Sequence, residues 1–178
     1  MRMIQSKRNT KSQGMILGLL LLATLPMGCA TSQERMERLA ETQQAVAEAL
    51  AGRHWKIRVT SMSPARYSSQ MVSYGYFLEL KGDTLESYLP YVGRVYQAPA
   101  FSTSQGLNFE ETILNYQETR AKKDMTRMEL QVKTREDLYH FFVEVYDNGR
   151  ATIRVRAQNR DGISFDGDCD VTEREAVK

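Results

Sequence analysis

Residues 126–157 read TRMELQVKTREDLYHFFVEVYDNGRATIRVRA, and three rows of alternating side chains run through them. Thr126, Met128, Leu130 and Val132 make the first apolar row. Tyr139, Phe141, Val143 and Val145 make the second, and Ala151, Ile153, Val155 and Ala157 the third. A period of two with one apolar face marks half-buried strands. The connections decide how the rows meet. The loop Thr134–Asp137 puts Leu130 opposite Phe141 and Met128 opposite Val143. Asp147-Asn148-Gly149 admits two registers. A two-residue Asn-Gly turn would set Val145 against Thr152 and Glu144 against Ile153, which mixes the faces, because a one-residue slip turns every side chain over. A three-residue loop with Gly149 left-handed pairs Val145 with Ala151, Val143 with Ile153 and Phe141 with Val155. That bulged register is the one expected.

The pattern extends upstream. Trp55, Ile57 and Val59 alternate with Lys56, Arg58 and Thr60. Tyr76, Leu78 and Leu80 alternate with Phe77, Glu79 and Lys81. A two-residue Gly82-Asp83 turn then leads into Thr84–Leu89, with Leu80 opposite Leu85, Leu78 opposite Ser87 and Tyr76 opposite Leu89. The segment Ile113–Arg120 is a further strand, in which Ile113 and Leu114 compete for the inward face. Ile163–Gly167 reads as a short last strand. Before all of these, Met36, Leu39, Ala40, Val46, Ala47 and Leu50 recur at helical spacing behind a Thr31-x-x-Glu34 capping box, and Gly52 marks the stop. The fold class is α+β and mostly antiparallel β. A helix ~27 Å long and ~10 Å wide covers two or three strands at their ~4.8 Å spacing. A meander of about seven strands must therefore curl into a part-barrel, or bury its spare apolar face against a second molecule.

The first segment reads as an address. Arg2, Lys7, Arg8 and Lys11 precede an apolar run from Met15 to Leu25, and no acid occurs before Glu34. Eleven residues span only ~16 Å as a helix, about half a bilayer core, which suits a signal segment rather than an anchor. Leu25-Pro26-Met27-Gly28-Cys29 resembles a bacterial lipobox, with Pro26 where such motifs usually carry Leu. Cleavage would leave Cys29 to be acylated, and several acyl chains hold a protein on a membrane. The competing reading is an ordinary secretory signal with an incidental cysteine. Ala30 after the cysteine, in place of Asp, resembles outer-membrane sorting, and the lack of an acidic run in Thr31-Ser32-Gln33 favours the periplasmic face. The expected divisions are 1–28 signal, 29–52 lipidated cysteine, tether and helix, 53–167 β domain, and 168–178 polar tail.

Charge excludes one class of partner. The whole chain carries 24 basic and 22 acidic residues; residues 1–28 hold four of the bases and none of the acids, so the remainder stands at 20 against 22, net −2. A nucleic-acid surface needs a basic excess.

Ser87–Pro99 (SYLPYVGRVYQAP), Gly106–Glu110 (GLNFE) and Asn148–Gly167 (NGRATIRVRAQNRDGISFDG) together resemble the domain of unknown function 4251 family of small lipoproteins from Gram-negative anaerobes. The likeness runs from about Ala45 to Gly167. It implies an envelope lipoprotein with a helix-plus-β domain, and it implies no activity.

No G-x-S-x-G, H-E-x-x-H or phosphate-binding glycine loop occurs, so no catalytic residue, metal ligand or cofactor is assigned. Glu110 and Glu111 point apart in an extended chain. His140 stands across from Arg156, a poor setting for a base or ligand, and His54 follows the helix stop. Cys169 is read as a thiol tolerated near the terminus, or one bridging two chains. Asp166, Asp168 and Asp170 alternate as in a calcium loop, but the sixth position is Val171 and the twelfth Val177, which excludes an EF-hand.

The connection from Pro90 to about Glu111 is long for a structureless loop in a compact domain. It carries Tyr91, Arg94, Tyr96 and Phe101, with Tyr88 just before it. These five are the candidate binding residues, since aromatics and Arg on a proline-stiffened loop suit recognition. The alternative is a loop folded over the open end of the sheet as a plug. A second candidate row is Arg150, Arg154 and Arg156 with Phe142 and Tyr146, Phe142 lying opposite Arg154 for a cation–π contact. The function expected is a membrane-anchored, periplasm-facing lipoprotein that binds a small molecule or envelope protein without catalysis. The alternatives are a structural oligomer or a hydrolase with an unfamiliar site.

Overall fold

The computed structural model describes residues 32–96 and 106–170. The expected signal segment, Cys29, Thr31 of the expected capping box, Phe101 and residues 171–178 lie outside that range. The chain divides into Met1–Met36 and Glu37–Lys178; of the first unit, the described residues are an exposed opening helical turn.

Helix α1 (Ser32–Ala51) leads into nine strands: β1 (His54–Pro64), β2 (Gln70–Met71), β3 (Phe77–Lys81), β4 (Thr84–Pro90), β5 (Gly106–Lys122), β6 (Met125–Lys133), β7 (Leu138–Tyr146), β8 (Arg150–Ala157) and β9 (Ile163–Asp170). Every pairing is antiparallel. The order β1-β3-β4-β5-β6-β7-β8-β9 closes when β9 returns to β1, and two-residue β2 sits on β1 beyond the end of β3. The result is a closed barrel of eight strands rather than a part-barrel of seven. Closure removes the need for an outside cover.

The registers read from sequence are present in the barrel except Tyr76 opposite Leu89: β3 begins at Phe77, and Tyr76 stacks on Tyr88 instead. Leu80 faces Leu85 and Leu78 faces Ser87; Leu130 faces Phe141 and Met128 faces Val143; Val145 faces Ala151, Val143 faces Ile153 and Phe141 faces Val155. Gly149 is left-handed, with φ 86°. The contest between Ile113 and Leu114 ends in a bulge: Ile113 pairs with Val132 and Asn115 with Gln131, so Leu114 is thrown outward and Ile113 packs on the core.

Two elements differ from expectation. Residues 106–111 belong to β5, so the long connection shrinks to 91–105, because Leu107 and Phe109 alternate inward as strand residues. β9 runs on to Asp170, which places Cys169 in a strand, buried and facing inward, rather than at a loose end.

The closing seam depends on Gly167. It lies opposite Val59 on β1, and a Cβ there would fall 2.1 Å from the Arg58 carbonyl oxygen. β1 also bulges between Val59 and Ser61 along this seam, the kind of irregularity that bends a strand around a barrel corner.

The interior is filled by the barrel's own side chains. Ile57, Leu78, Leu80, Leu85, Phe141, Val143, Ile153 and Phe165 have no exposed surface, and Val46, Ala49 and Leu50 of α1 join the same cluster. Of the predicted helix stripe, Met36 and Leu39 stay exposed. Thr42 lies beside Gly149 in the β7–β8 turn, so α1 meets the barrel at its tight-turn end. A closed barrel offers a helix only one end to cover, and the last turns of α1 suffice. The helix finishes through Gly52 N–H to Glu48 O at 3.0 Å, while the left-handed residue is Arg53 (φ 48°), not the glycine.

Outward positions carry Lys56, Glu79, Glu86, Arg127, Glu129, Arg154 and Asp166. Apolar inside and charged outside is the reverse of a barrel immersed in lipid.

Candidate functional site

The loop end of the barrel, opposite α1, holds three of the five sequence candidates. Tyr91, Arg94 and Tyr96 lie on a strap that follows β4 and is stitched to the β8–β9 loop. Arg94 N–H donates to the Asp161 carboxylate at 3.2 Å, Asp161 N–H donates to Arg94 O at 3.0 Å, and Tyr96 N–H donates to Asn159 O at 2.7 Å. Val95 and Arg160 form a single antiparallel bridge. The Tyr91 hydroxyl donates between the carbonyls of Arg94 and Asp161, at 3.0 and 3.1 Å. The Tyr96 hydroxyl donates to Asp161 Oδ1. Arg66 approaches the other carboxylate oxygen at 3.1 Å.

These contacts set the electrostatics. The Tyr96 hydroxyl, then Arg94 N–H and the Arg66 cation, hold the Asp161 carboxyl below its ordinary range, against the opposing effect of desolvation. Burial raises the Tyr91 phenol, with Arg160 opposing. Burial likewise pushes Tyr139 up to about 12.

A second carboxylate, Asp137, lies beneath the strap with its side chain fully buried. It accepts the N–H groups of Leu138 (2.8 Å), Gln158 (3.0 Å) and Asn159 (3.1 Å). The Arg160 guanidinium lies 3.5 Å from Asp137 and 3.3 Å from Glu136, between the rings of Tyr91 and Tyr139 at 5.3 and 5.5 Å from their centroids. Buried charge is tolerated only when paired and hydrogen-bonded; Asp137 has both, and Arg160 pairs with both acids and donates to Glu136 while its Nε–H has no hydrogen-bond partner. The strap is therefore tied across the barrel's loop end, with Tyr91 half-buried and the Arg94 side chain exposed.

Tyr88 is elsewhere. It stands on the outer wall of β4, its ring stacked on Tyr76 (5.4 Å between centroids) and near Phe77 (6.1 Å). Lys56 Nζ sits 4.6 Å above the Phe77 ring. Beside this cluster runs a recess of about 570 Å³ lined by Lys56, Arg58, Tyr74, Tyr76, Phe77 and Asp168. A polar recess of about 610 Å³, lined by residues including Ser61, Met71, Arg150, Thr152 and Asp166, adjoins it. The two share Thr60 and Asp168 in their linings, side by side along the β1–β9 seam. Tyr74 and Met71 project fully or largely into solvent. Arg58 pairs with Asp170 at 3.2 Å and Lys56 with Glu79 at 3.4 Å. Asp166 takes hydrogen bonds from Thr152 at 3.0 Å and Ser61 at 3.4 Å.

Sequence reasoning singled out Tyr88 in this patch but missed Tyr74, Tyr76 and Phe77. The signal was available: YGYF at 74–77 puts aromatics on both faces of a chain entering a strand. The buried acids Asp137 and Asp161 were also missed, because nothing local marks an acid whose partners lie about 20 and 65 residues away.

The other candidates lie on the wall. His140 is exposed, across from Arg156, with its Nε2 3.3 Å from Gln131 Nε2. His54 is exposed, with Nδ1 2.9 Å from Gly52 O. Phe142 faces Arg154 in register, yet the guanidinium over its ring is that of Arg156, at 5.4 Å. Glu110 and Glu111 occupy successive, opposite-facing positions of β5. Among the described residues, no three His, Cys, Asp or Glu side chains are grouped to hold a metal ion.

A family model described as a domain of unknown function, DUF4251, matches residues 37–169. The chain belongs to this family. A solved DUF4251 family protein from Bacteroides eggerthii DSM 20697 has a similar structure, with a TM-score of 0.56 over 73% of this chain and 87% of that one, at 10% sequence identity. At that identity the likeness speaks for the DUF4251 fold alone. No curated protein matches.

Proposed function

We propose that this DUF4251 protein is a lipid-anchored envelope protein that works by binding rather than catalysis, through the groove on its outer wall. The anchor is the acylated Cys29, and the expected place is the periplasmic face of the outer membrane of a Gram-negative bacterium. Support for the anchor comes from the basic, apolar and Gly28-Cys29 sequence at the N-terminus. Among the described residues no helix is long and apolar enough to cross a membrane.

One observation carries the binding reading: the barrel interior is filled, while exposed aromatics line an outer groove. A ligand would find no room among Leu78, Leu80, Phe141 and Phe165. On the outer wall, Tyr74 offers an uncovered ring face, and Asp168 and Arg58 offer hydrogen-bonding groups beside it. Ring faces flanked by a few polar groups suit a ligand with both an apolar face and polar edges: a small molecule, or a segment of an envelope protein.

Two measurements test the two halves. Intact mass of membrane-extracted protein is expected to show acyl chains that Cys29→Ser abolishes; a bare cysteine would refute the anchor. Native mass spectrometry of protein purified from its own envelope is expected to show a co-purifying ligand that Tyr74→Ala removes, with the melting temperature unchanged. Retention of that ligand by the variant would refute the groove.

A further inference from the structure

Tyr74 stands at the tip of a loop that is pinned to β1 on both sides. Val72 N–H donates to Thr60 O at 3.0 Å, and Val59 N–H donates to Tyr76 O at 2.9 Å. Left-handed Gly75 (φ 107°) lets the chain turn between them. The Tyr74 ring is fully exposed on this short, anchored turn, so its faces are offered at a fixed place. Beside it, the recess of about 570 Å³ crosses β1 to Asp168 and Asp170 on β9. The polar recess of about 610 Å³ lies alongside.

The charges of the two linings narrow the occupant. Lys56, Arg58 and Arg150 stand against Asp166, Asp168 and Asp170, three cations and three acids. Several are already matched: Lys56 lies 3.4 Å from Glu79, Arg58 lies 3.2 Å from Asp170, and Asp166 accepts from Thr152 at 3.0 Å. No net charge is left over to draw in an ion. Asp168 differs. In register it stands between Arg58 on β1 and Arg150 on β8. Among the described residues it forms an ion pair with neither, and both Asp168 and Arg150 are exposed. A planar acceptor and a planar donor fork are therefore left for a ligand.

A peptide laid down as an added strand needs an open edge, and the floor has none. β1 is paired on one side by β3, by Tyr76 and Val72, and by β2; on the other side it is paired by β9, which β8 pairs in turn. An apolar molecule needs an enclosure, whereas these recesses lie on the outer wall among charged neighbours. A neutral sugar chain meets what is there. The aliphatic C–H face of a sugar ring suits the negative face of an aromatic ring. Adjacent hydroxyls both donate and accept, which Asp168 and Arg150 together call for. Two recesses side by side suit several sugar rings in a row.

We propose that the occupant is an uncharged oligosaccharide, with one ring stacked on Tyr74 and the chain running along the β1–β9 seam past Asp168 and Arg150. This rests on the binding reading above and narrows it to one ligand class.

The ligand released from protein purified out of its own envelope is hydrolysed and its components identified. Sugars are expected. Amino acids or fatty acids would overturn the saccharide and leave the binding site standing, whereas finding no ligand that Tyr74→Ala removes would overturn both. The probe of a second experiment is the neutral polysaccharide fraction of that envelope, cleared of protein by protease and of acidic chains by anion exchange. Native gels containing this fraction are expected to slow the purified full-length chain. Tyr74→Ala and Asp168→Ala should each raise the polysaccharide concentration needed by about tenfold. Tyr74→Phe keeps the ring and should stay within about twofold of the unaltered chain. Both positions are exposed, so the melting curve checks that the fold is intact. No slowing by the neutral fraction, slowing by the acidic fraction alone, equal loss in Tyr74→Ala and Tyr74→Phe, or no loss in Asp168→Ala would each overturn the proposal.

Discussion

Replacing Asp161 by alanine tests whether the strap is a structural closure. The carboxylate accepts Arg94 N–H at 3.2 Å and the Tyr96 hydroxyl on its other oxygen, with Arg66 at 3.1 Å. Its side chain is 8% exposed, while that of Arg66 is 51% exposed. Hydrogen bonds to a charged group contribute about 1.5–3 kcal/mol each, and an ion pair with a half-exposed cation contributes ~1 kcal/mol or less. Water can partly replace the lost acceptor at this rim, so the net loss should be about 2–4 kcal/mol. Asp161→Asn keeps an acceptor and loses the charge, and should cost about half as much. The depressed carboxyl pKa gives a pH signature. The stabilisation is full above the ordinary aspartate pKa, near 4, and fades as pH falls through the lower folded value. Hydrogen exchange at the amides of Arg94, Tyr96 and Asp161, with denaturant melts from pH 7 to 3, reads both effects. A loss below about 0.5 kcal/mol in Asp161→Ala, with no change in exchange at those amides, would refute the closure and return the strap to the role of a free recognition loop.

Other outcomes follow from particular contacts. Gly167→Ala drives a Cβ to 2.1 Å from Arg58 O at the closing seam; overpacking against backbone should cost about 3 kcal/mol or more, seen as a lowered melting temperature with early exchange in β1 and β9. Tyr139, with its pKa raised by burial to about 12, stays neutral in the fold while the unfolded phenol ionises near pH 10. Stability is therefore full below pH ~10 and declines toward pH 12 by about 2 kcal/mol, and Tyr139→Phe should flatten that decline in alkaline melts. Arg156→Ala should lose about 0.5 kcal/mol through the Phe142 ring and Arg154→Ala less, since the guanidinium over the ring is that of Arg156; a double-mutant cycle with Phe142→Leu measures this.

The β6–β7–β8 meander was legible because every determinant is local. Alternation sets the faces, and loop length sets the register, down to the left-handed Gly149. Tyr88 was legible as an outward-facing aromatic because alternation sets it opposite the inward Leu85, Ser87 and Leu89. Other features gave weaker local signals. The bulge at Leu114 showed in sequence only as two apolar neighbours competing for one face, and the first residues of β5 were absorbed into an apparent loop.

By itself the sequence determined most of the strands, the registers of the β3–β4 and β6–β7–β8 hairpins and the family resemblance, since each is written in neighbouring residues. Only the tertiary structure decided that the sheet closes, that the interior is full, and that the strap is tied down by Asp161 over buried Asp137. Closure joins β1 to β9 across more than a hundred residues. Pairing at that distance depends on accumulated twist and on how side chains fill the enclosed volume, which are properties of the whole barrel that no short stretch of chain encodes.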